Sequence, residues 1–277
     1  VQGDIPENEK LSADIEAQKT AYRDLTRKAL GAQVIFWPEA AIPDWIQDLG
    51  DYMLERYHEA HAHHSAMVVG MLRETAAGPA YNSIMTLGES VAFYDKMHLV
   101  PFTEAIPGPA FAHKWLALLD LPHDGFSYGA DNQPPLAAGG LLLLPAVCYD
   151  DAYGSGNLHM LRTANALVTV TNDAWFGHST ARYQHLQIAQ MRAIETGRYL
   201  VRAANDGISG IIGPDGRVLV TAPGWVPIVL HSSVVPMLGL PPYARVGNWL
   251  IISLAATTLA AILAWGFVRR GRHNLGR

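Results

Sequence analysis

Residues 141–150 read LLLLPAVCYD, and this stretch decides the fold class. Seven apolar residues, Leu141–Val147, follow the glycine pair Gly139-Gly140 and end at the chain's single cysteine, Cys148. A short apolar run bounded by turn residues reads as a buried strand. Two further runs behave the same way. QVIFW at 33–37 leads through Pro38 to Glu39, and SVAFY at 90–94 leads through Asp95 to Lys96. Strands are also read at 66–72, 81–87, 166–171, 199–204, 208–212 and 217–220, with Pro214-Asp215-Gly216 as a hairpin turn. Helical periodicity is read at 8–30 (Leu11, Ile15, Tyr22, Leu25 and Ala29 on one face), 44–61, 110–119 and 179–197. Alternation of this kind predicts an α/β protein with helices outside its sheets.

The bulk numbers agree. A 277-residue chain that is 49% apolar, with Gly and Pro scattered, belongs to an ordered, loop-rich protein. One cysteine excludes an internal disulfide, leaving a buried apolar filler or a working thiol. The net charge of −5 is uneven: no acidic residue follows Asp215, and Arg269, Arg270, Arg272 and Arg277 close the chain. Taking those four from 20 Lys+Arg leaves 16 against 25 Asp+Glu, so residues 1–268 carry about −9. A nucleic-acid partner would need a basic footprint, so that class is set aside. Val1-Gln2-Gly3 offers no initiator Met, charged n-region or apolar h-region, and reads as a start inside a longer protein.

Residues 249–268, WLIISLAATTLAAILAWGFV, contain no charge. Twenty such residues suffice to cross a hydrocarbon core of about 30 Å as a helix. Trp249 and Trp265 stand near the ends, and the arginines that follow place the tail in the cytoplasm by the positive-inside rule. The expected organisation is a catalytic domain at 1–232, a Pro/Gly-rich linker at 233–246, a transmembrane helix at 247–268 and a basic cytoplasmic tail at 269–277. Residues 1–245 then face the periplasm, if the source is a Gram-negative bacterium.

Singly, Glu39 could be a helix N-terminal acid, Lys96 a surface lysine and Cys148 a core residue. Together they form a chemically complete set. A thiol with an ordinary pKa of about 8.5 needs a base or a cation to become a nucleophile. Glu39 can take its proton, and Lys96 can stabilise thiolate and oxyanion, helped by the backbone N–H of Tyr149. Other signals are discounted. His58, His61, His63 and His64 read as a solvated helix end, with no metal expected. Gly207–Gly210 lacks the Lys-Ser/Thr of a phosphate loop, and Ser209 lacks a GxSxG context.

WPEAAIP around Glu39, YDKMHLVPFTE around Lys96 and CYDDAYG around Cys148, in that order, resemble the nitrilase, or carbon–nitrogen hydrolase, superfamily. KMHLVPF, TNDAWFGHS, QHLQIAQMRAIETGR, RAANDGISGIIGPDG and PPYARVGNW narrow the resemblance to the apolipoprotein N-acyltransferase branch. It covers essentially the whole chain. The resemblance implies a four-layer αββα sandwich beside the membrane and a ping-pong reaction without cofactor or metal. A phospholipid, typically phosphatidylethanolamine, gives an acyl chain to the cysteine, and the amine of diacylglyceryl-cysteine in an apolipoprotein takes it. It implies Glu39 as base, Lys96 as oxyanion stabiliser and Cys148 as nucleophile. Glu104 matches a supporting glutamate, Trp175 a pocket tryptophan, and Glu195 a helix glutamate of structural character. The chain departs from the pattern at Asp150 and Thr103, where the family usually has Glu and Gly, and in the absence of a preceding bundle of membrane helices. Phe102, Ile106, Phe111, Trp115 and Leu116 could form a lipid-facing flap or an ordinary packed segment. The alternatives are an amidase or nitrilase acting on a small substrate, and a catalytically silent, membrane-tethered lipoprotein-binding relative.

Overall fold

The computed structural model of the chain describes residues 1–6, 14–106 and 125–274. The expected helix at 110–119 lies outside them, as do Leu11 and the flap residues Phe111, Trp115 and Leu116. Among the described residues the strands form two sheets. The first contains β1 (Val34–Phe36), β2 (Ala66–Glu74), β3 (Ala80–Leu87) and β4 (Ala92–Asp95), in that spatial order. The second contains β5 (Leu136–Ala138), β6 (Leu141–Val147), β7 (Ala166–Thr171), β8 (Leu200–Ala204), β9 (Gly210–Ile212) and β10 (Val218–Thr221), again in order. The β6, β7 and β8 strands run parallel, and the flanking pairs are antiparallel.

The two-residue period of each strand sorts its side chains into layers. Val68, Ile84 and Tyr94 of the first sheet meet Leu143, Val147, Val168 and Val170 of the second in the middle of the sandwich. On the other face of the first sheet, Met67, Val69 and Met71 pack under α1 (Ile15–Ala29) and α2 (Gly50–Ala62) through Tyr22, Ala29, Met53 and Ala60. On the other face of the second, Leu167, Leu200 and Ile212 pack under Ala189 and Ala193 of α3 (Ala181–Thr196). The result is the expected αββα order. Strand β7 is buried along its whole length, because a central parallel strand is covered on both faces.

One helix start differs from the sequence reading, that of α2. Residues 8–13 of the first expected helix lie outside the described residues; within these the helix runs Ile15–Ala29, with Asp14 at its cap and the Asp14 side chain accepting the Glu16 N–H at 2.9 Å. The second begins at Gly50 rather than residue 44. Trp45 bridges Leu72 and the Ile46 N–H donates to the Leu72 carbonyl at 2.9 Å, so this stretch follows the sheet edge before it can coil. The hairpin turn at Pro214-Asp215-Gly216 is present, with Gly216 at φ +80°. His58, His61, His63 and His64 are exposed at the end of α2.

Within 233–246 lies a short helix, α4 (Pro242–Val246), and α5 (Trp249–Asn274) follows. The α5 helix continues past residue 268 into the basic segment, because arginine is a good helix former. Its window Trp249–Gly266 is long and apolar enough to cross a membrane, and none of that window is buried. A core helix would be covered; this one presents Leu250, Ile251, Leu254, Leu259 and Ile262 outward.

Candidate active site

The three strand ends named by the sequence converge at one edge of the sandwich. Trp37, wholly buried, donates its indole N–H to Thr26 of α1 at 3.0 Å and packs on Tyr22, which fixes the chain just before Glu39. Strand β2 then admits the Glu39 backbone at Gly70. A Cβ there would lie 2.3 Å from the Pro38 carbonyl oxygen and 2.6 Å from the Glu39 Cα. Only glycine allows that approach.

Lys96 stands one residue beyond β4, 1% exposed, between two carboxylates. Its Nζ is 2.9 Å from Glu104 Oε1 and 3.5 Å from Glu39 Oε1. The Asn82 amide donates to both acids, at 2.7 Å to Glu39 and 3.0 Å to Glu104. The second Glu39 oxygen accepts the Asn172 N–H at 2.8 Å, and that of Glu104 accepts the Val100 N–H at 2.8 Å. Burial alone would lower the lysine pKa, but Glu39, Cys148 and Glu104 outweigh it and hold the ammonium firmly charged.

Cys148 ends β6 and opens a 3-10 turn, Cys148–Ala152, with φ +48°. A non-glycine residue in that region is strained by about 1–3 kcal/mol. Ala40 (φ +40°) and Phe102 (φ +65°) flank the same site; Asp4, His64 and Trp225 adopt similar angles elsewhere. Cys148 as a residue is half-buried, and its thiol group lies inside. Burial and the Glu39 charge push its pKa up, while Lys96 and a hydrogen bond with Thr171 act against them. The resting sulfur is therefore protonated and must lose its proton to react. Lys96 and Glu39 are both electrostatically coupled to it.

Asp150 binds the cysteine turn to the lysine loop. Its carboxylate accepts the His98 N–H at 2.6 Å, the Tyr94 hydroxyl at 3.1 Å and the Val147 N–H at 3.2 Å, and His98 Nδ1 lies 3.1 Å away. The shorter aspartate reaches all of them. Tyr149 meets Tyr153 edge-on, and Tyr153 stacks on the His98 ring at 3.8 Å.

Two further expected residues lie on other elements. Trp175, on the turn Asp173–Phe176, is 60% exposed. Glu195, on α3, pairs with Arg192 at 3.0 Å near Gly154. The sequence reading missed Asn82 and Asn172, which hold the Glu39 carboxylate, and a buried set of Asp151, Asp173, His185 and Arg202 behind the cysteine turn. The available signal was the polar residue inside an apolar strand: Asn82 in AYNSIMTL and Arg202 in LVRAA.

The model of the carbon-nitrogen hydrolase family matches residues 1–234. The apolipoprotein N-acyltransferase of Methylococcus capsulatus is 38% identical over 276 residues, covering 99% of this chain and 54% of that protein. Its namesake in Azotobacter vinelandii is 37% identical over 278 residues, covering 98% and 53%. The chain thus spans about half the length of the curated relatives it matches. Among solved structures, the C. elegans NitFhit protein superposes with a TM-score of 0.59 at 18% identity, over 76% of this chain and 55% of that one. An amidase of the nitrilase superfamily from Nesterenkonia superposes at 0.54 and 21% identity, over 77% and 82%. At such identities these two speak for the fold alone.

Proposed function

The chain belongs to the carbon–nitrogen hydrolase family, and from that premise we propose that it moves a fatty acyl chain between a lipid donor and a lipoprotein amine through a thioester on Cys148. The observation that carries this reading is the buried Lys96 held between Glu39 and Glu104 and coupled to the only cysteine, in a chain that also displays an exposed membrane-length helix. The similarity to apolipoprotein N-acyltransferases over nearly the whole chain supports it.

In the first half-reaction the Glu39 carboxylate takes the thiol proton and the sulfur attacks the ester carbonyl of a phospholipid such as phosphatidylethanolamine. Lys96 Nζ and the Tyr149 N–H face the oxyanion that forms. Collapse breaks the ester C–O bond, and the lysophospholipid oxygen leaves with the proton from Glu39. In the second, the neutral amine of diacylglyceryl-cysteine at an apolipoprotein N-terminus attacks the thioester carbonyl. Glu39 accepts the amine proton, the C–S bond breaks, and that proton returns to the sulfur. The cycle is ping-pong and closes without net proton change. Asp150 and Glu104 keep the turn and the lysine loop in register, and Trp175 lines the acyl entrance.

In this reading residues 1–232 form a periplasmic catalytic domain, 233–246 a linker, 247–268 the membrane anchor and 269–277 a cytoplasmic tail of the bacterial inner membrane. Long acyl chains would then enter from the bilayer beside the site. The test uses the full-length protein with phosphatidylethanolamine carrying a tagged acyl chain. On adding a diacylglyceryl-cysteine peptide, the tag should pass to the peptide amine. Passage to water alone would favour a hydrolase on small C–N substrates, and no turnover in a folded protein would favour a silent lipoprotein-binding relative.

A further inference from the structure

Behind the cysteine turn, four elements place four ionisable side chains together. Asp151 comes from the turn after β6, Asp173 from the turn after β7, His185 from α3 and Arg202 from β8. All four are buried, with side chains 0–9% exposed. His185 Nδ1 is 2.8 Å from Asp173 Oδ1, and Nε2 is 3.1 Å from Asp151 Oδ1. Arg202 bridges the outer oxygens of the same acids, at 2.9 Å to Asp173 and 3.4 Å to Asp151. Nε2 also lies 3.4 Å from the Cys148 carbonyl oxygen.

Both ring nitrogens therefore face acceptors. A neutral imidazole donates from one nitrogen only, so one carboxylate would lose its partner. Charge gives the same answer. With neutral histidine the buried set carries one uncompensated negative charge; with imidazolium it balances. The Phe176 ring meets the imidazole edge-on and Thr171 donates to Asp173 at 3.0 Å; of the other titratable groups that feel Asp173, Asp206 is countered by Arg182 and Cys148 is a thiol pushed up by the same charge.

Accepting Cys148 as the acylated residue, we propose that His185 is a positioning residue for the thiol. As an imidazolium clamped between Asp151 and Asp173, it donates to the Cys148 carbonyl and holds the left-handed backbone that presents the sulfur. The Nδ1 proton is held by the shorter contact to Asp173, 2.8 Å against 3.1 Å, so the proton that leaves is the Nε2 proton shared between Asp151 and the Cys148 carbonyl; the carbonyl then loses its donor and the strained turn relaxes away from Glu39 and Lys96. Burial and Arg202 oppose the charged ring, but the hydrogen bonds it donates to both acids prevail and move its pKa from 6.5 up to about 9. Its folded-state pKa is raised, so the contribution is complete below pH about 6.5 and is lost as pH rises through about 9.

The experiment uses full-length protein in detergent with its histidines labelled with nitrogen-15, His185 being assigned by its absence in His185→Gln. Ring-nitrogen shifts report protonation, and the rate of thioester formation is followed across pH in parallel. His185 should be doubly protonated at pH 7.5 and titrate near pH 9, where the thioester rate falls. Asp151→Asn keeps an acceptor but removes a charge, and should move both the titration and the alkaline limb down by about 1–3 pH units. His185→Gln should lower the maximal rate at least tenfold without raising the donor KM, and its alkaline limb should vanish. If Asp151→Asn does not fold, the wild-type titration and His185→Gln decide. A neutral His185 at pH 7.5, or an alkaline limb indifferent to these substitutions, overturns the proposal. A wild-type protein that forms no thioester at any pH overturns the catalytic reading itself, which is a distinguishable result.

Discussion

Lys96→Met replaces a buried ammonium with an apolar chain of similar length. In the wild type that ammonium sits 2.9 Å from Glu104 and 3.5 Å from Glu39, at 1% exposure. Its removal leaves two acids that share the Asn82 amide with no cation between them. Breaking a buried pair by removing one partner costs about 3–5 kcal/mol. Part of that cost is relieved if the two acids take up one proton between them. Such a proton has a raised folded-state affinity, so the variant is least impaired at low pH and loses stability as pH rises. The rate suffers twice, since a protonated Glu39 cannot act as base and the oxyanion loses its cation; the second loss alone is about 10²–10³-fold. The assay pairs thermal unfolding at pH 5 and pH 8 with the rate of thioester formation at each pH. A smaller stability deficit at pH 5 and a rate at least about 10²-fold below wild type at both pH values are expected. A deficit equal at both pH values, or a near-normal rate, would refute the view of Lys96 as the charge that holds both acids.

Glu39→Gln keeps one acceptor oxygen, for either the Asn82 amide or the Asn172 N–H but not both, and cannot accept a proton, so both half-reactions should slow by about 10²–10⁴-fold with the fold intact by circular dichroism. Gly70→Ala puts a methyl against the Pro38 carbonyl and the Glu39 Cα; the catalytic rate should fall even though residue 70 bears no reactive group, and an unchanged rate would show that Glu39 is positioned some other way. Asp150→Ala strands the Tyr94, His98 and Val147 donors, and at about 1–3 kcal/mol for each unsatisfied group should lower stability by about 3 kcal/mol or more in chemical denaturation. Leu259→Arg places a charge in the middle of the exposed apolar helix, at a cost of about 2.5–3.5 kcal/mol for insertion; flotation should show less membrane-bound protein, and unchanged partitioning would remove the anchor role.

The strand ends were legible because burial and period act locally. LLLLPAV, QVIFW and SVAFY each announce a covered strand, and the residue just past a covered strand is where polar chemistry can sit. The membrane-length helix was legible for the same reason, as an uninterrupted apolar run. The residues that hold the site were not. Asn82 and Asn172 reach Glu39 from 43 and 133 residues away, and His185 reaches Asp151 across 34. Nothing in local pattern encodes such pairings. The start of α2 was misread because tertiary contact overrode periodicity: the Ile46 N–H found the Leu72 carbonyl and delayed the helix to Gly50. Trp175 and Glu195 were expected from family resemblance alone; one is exposed on the turn after β7 and the other pairs with Arg192 on α3.

The most direct test of the account is mass mapping of full-length protein quenched after brief exposure to phosphatidylethanolamine alone. The account predicts one acyl group on Cys148, removed by neutral hydroxylamine and missing from Cys148→Ala. Acyl transfer that persists in Cys148→Ala, or an acyl group mapped to another residue, would contradict it.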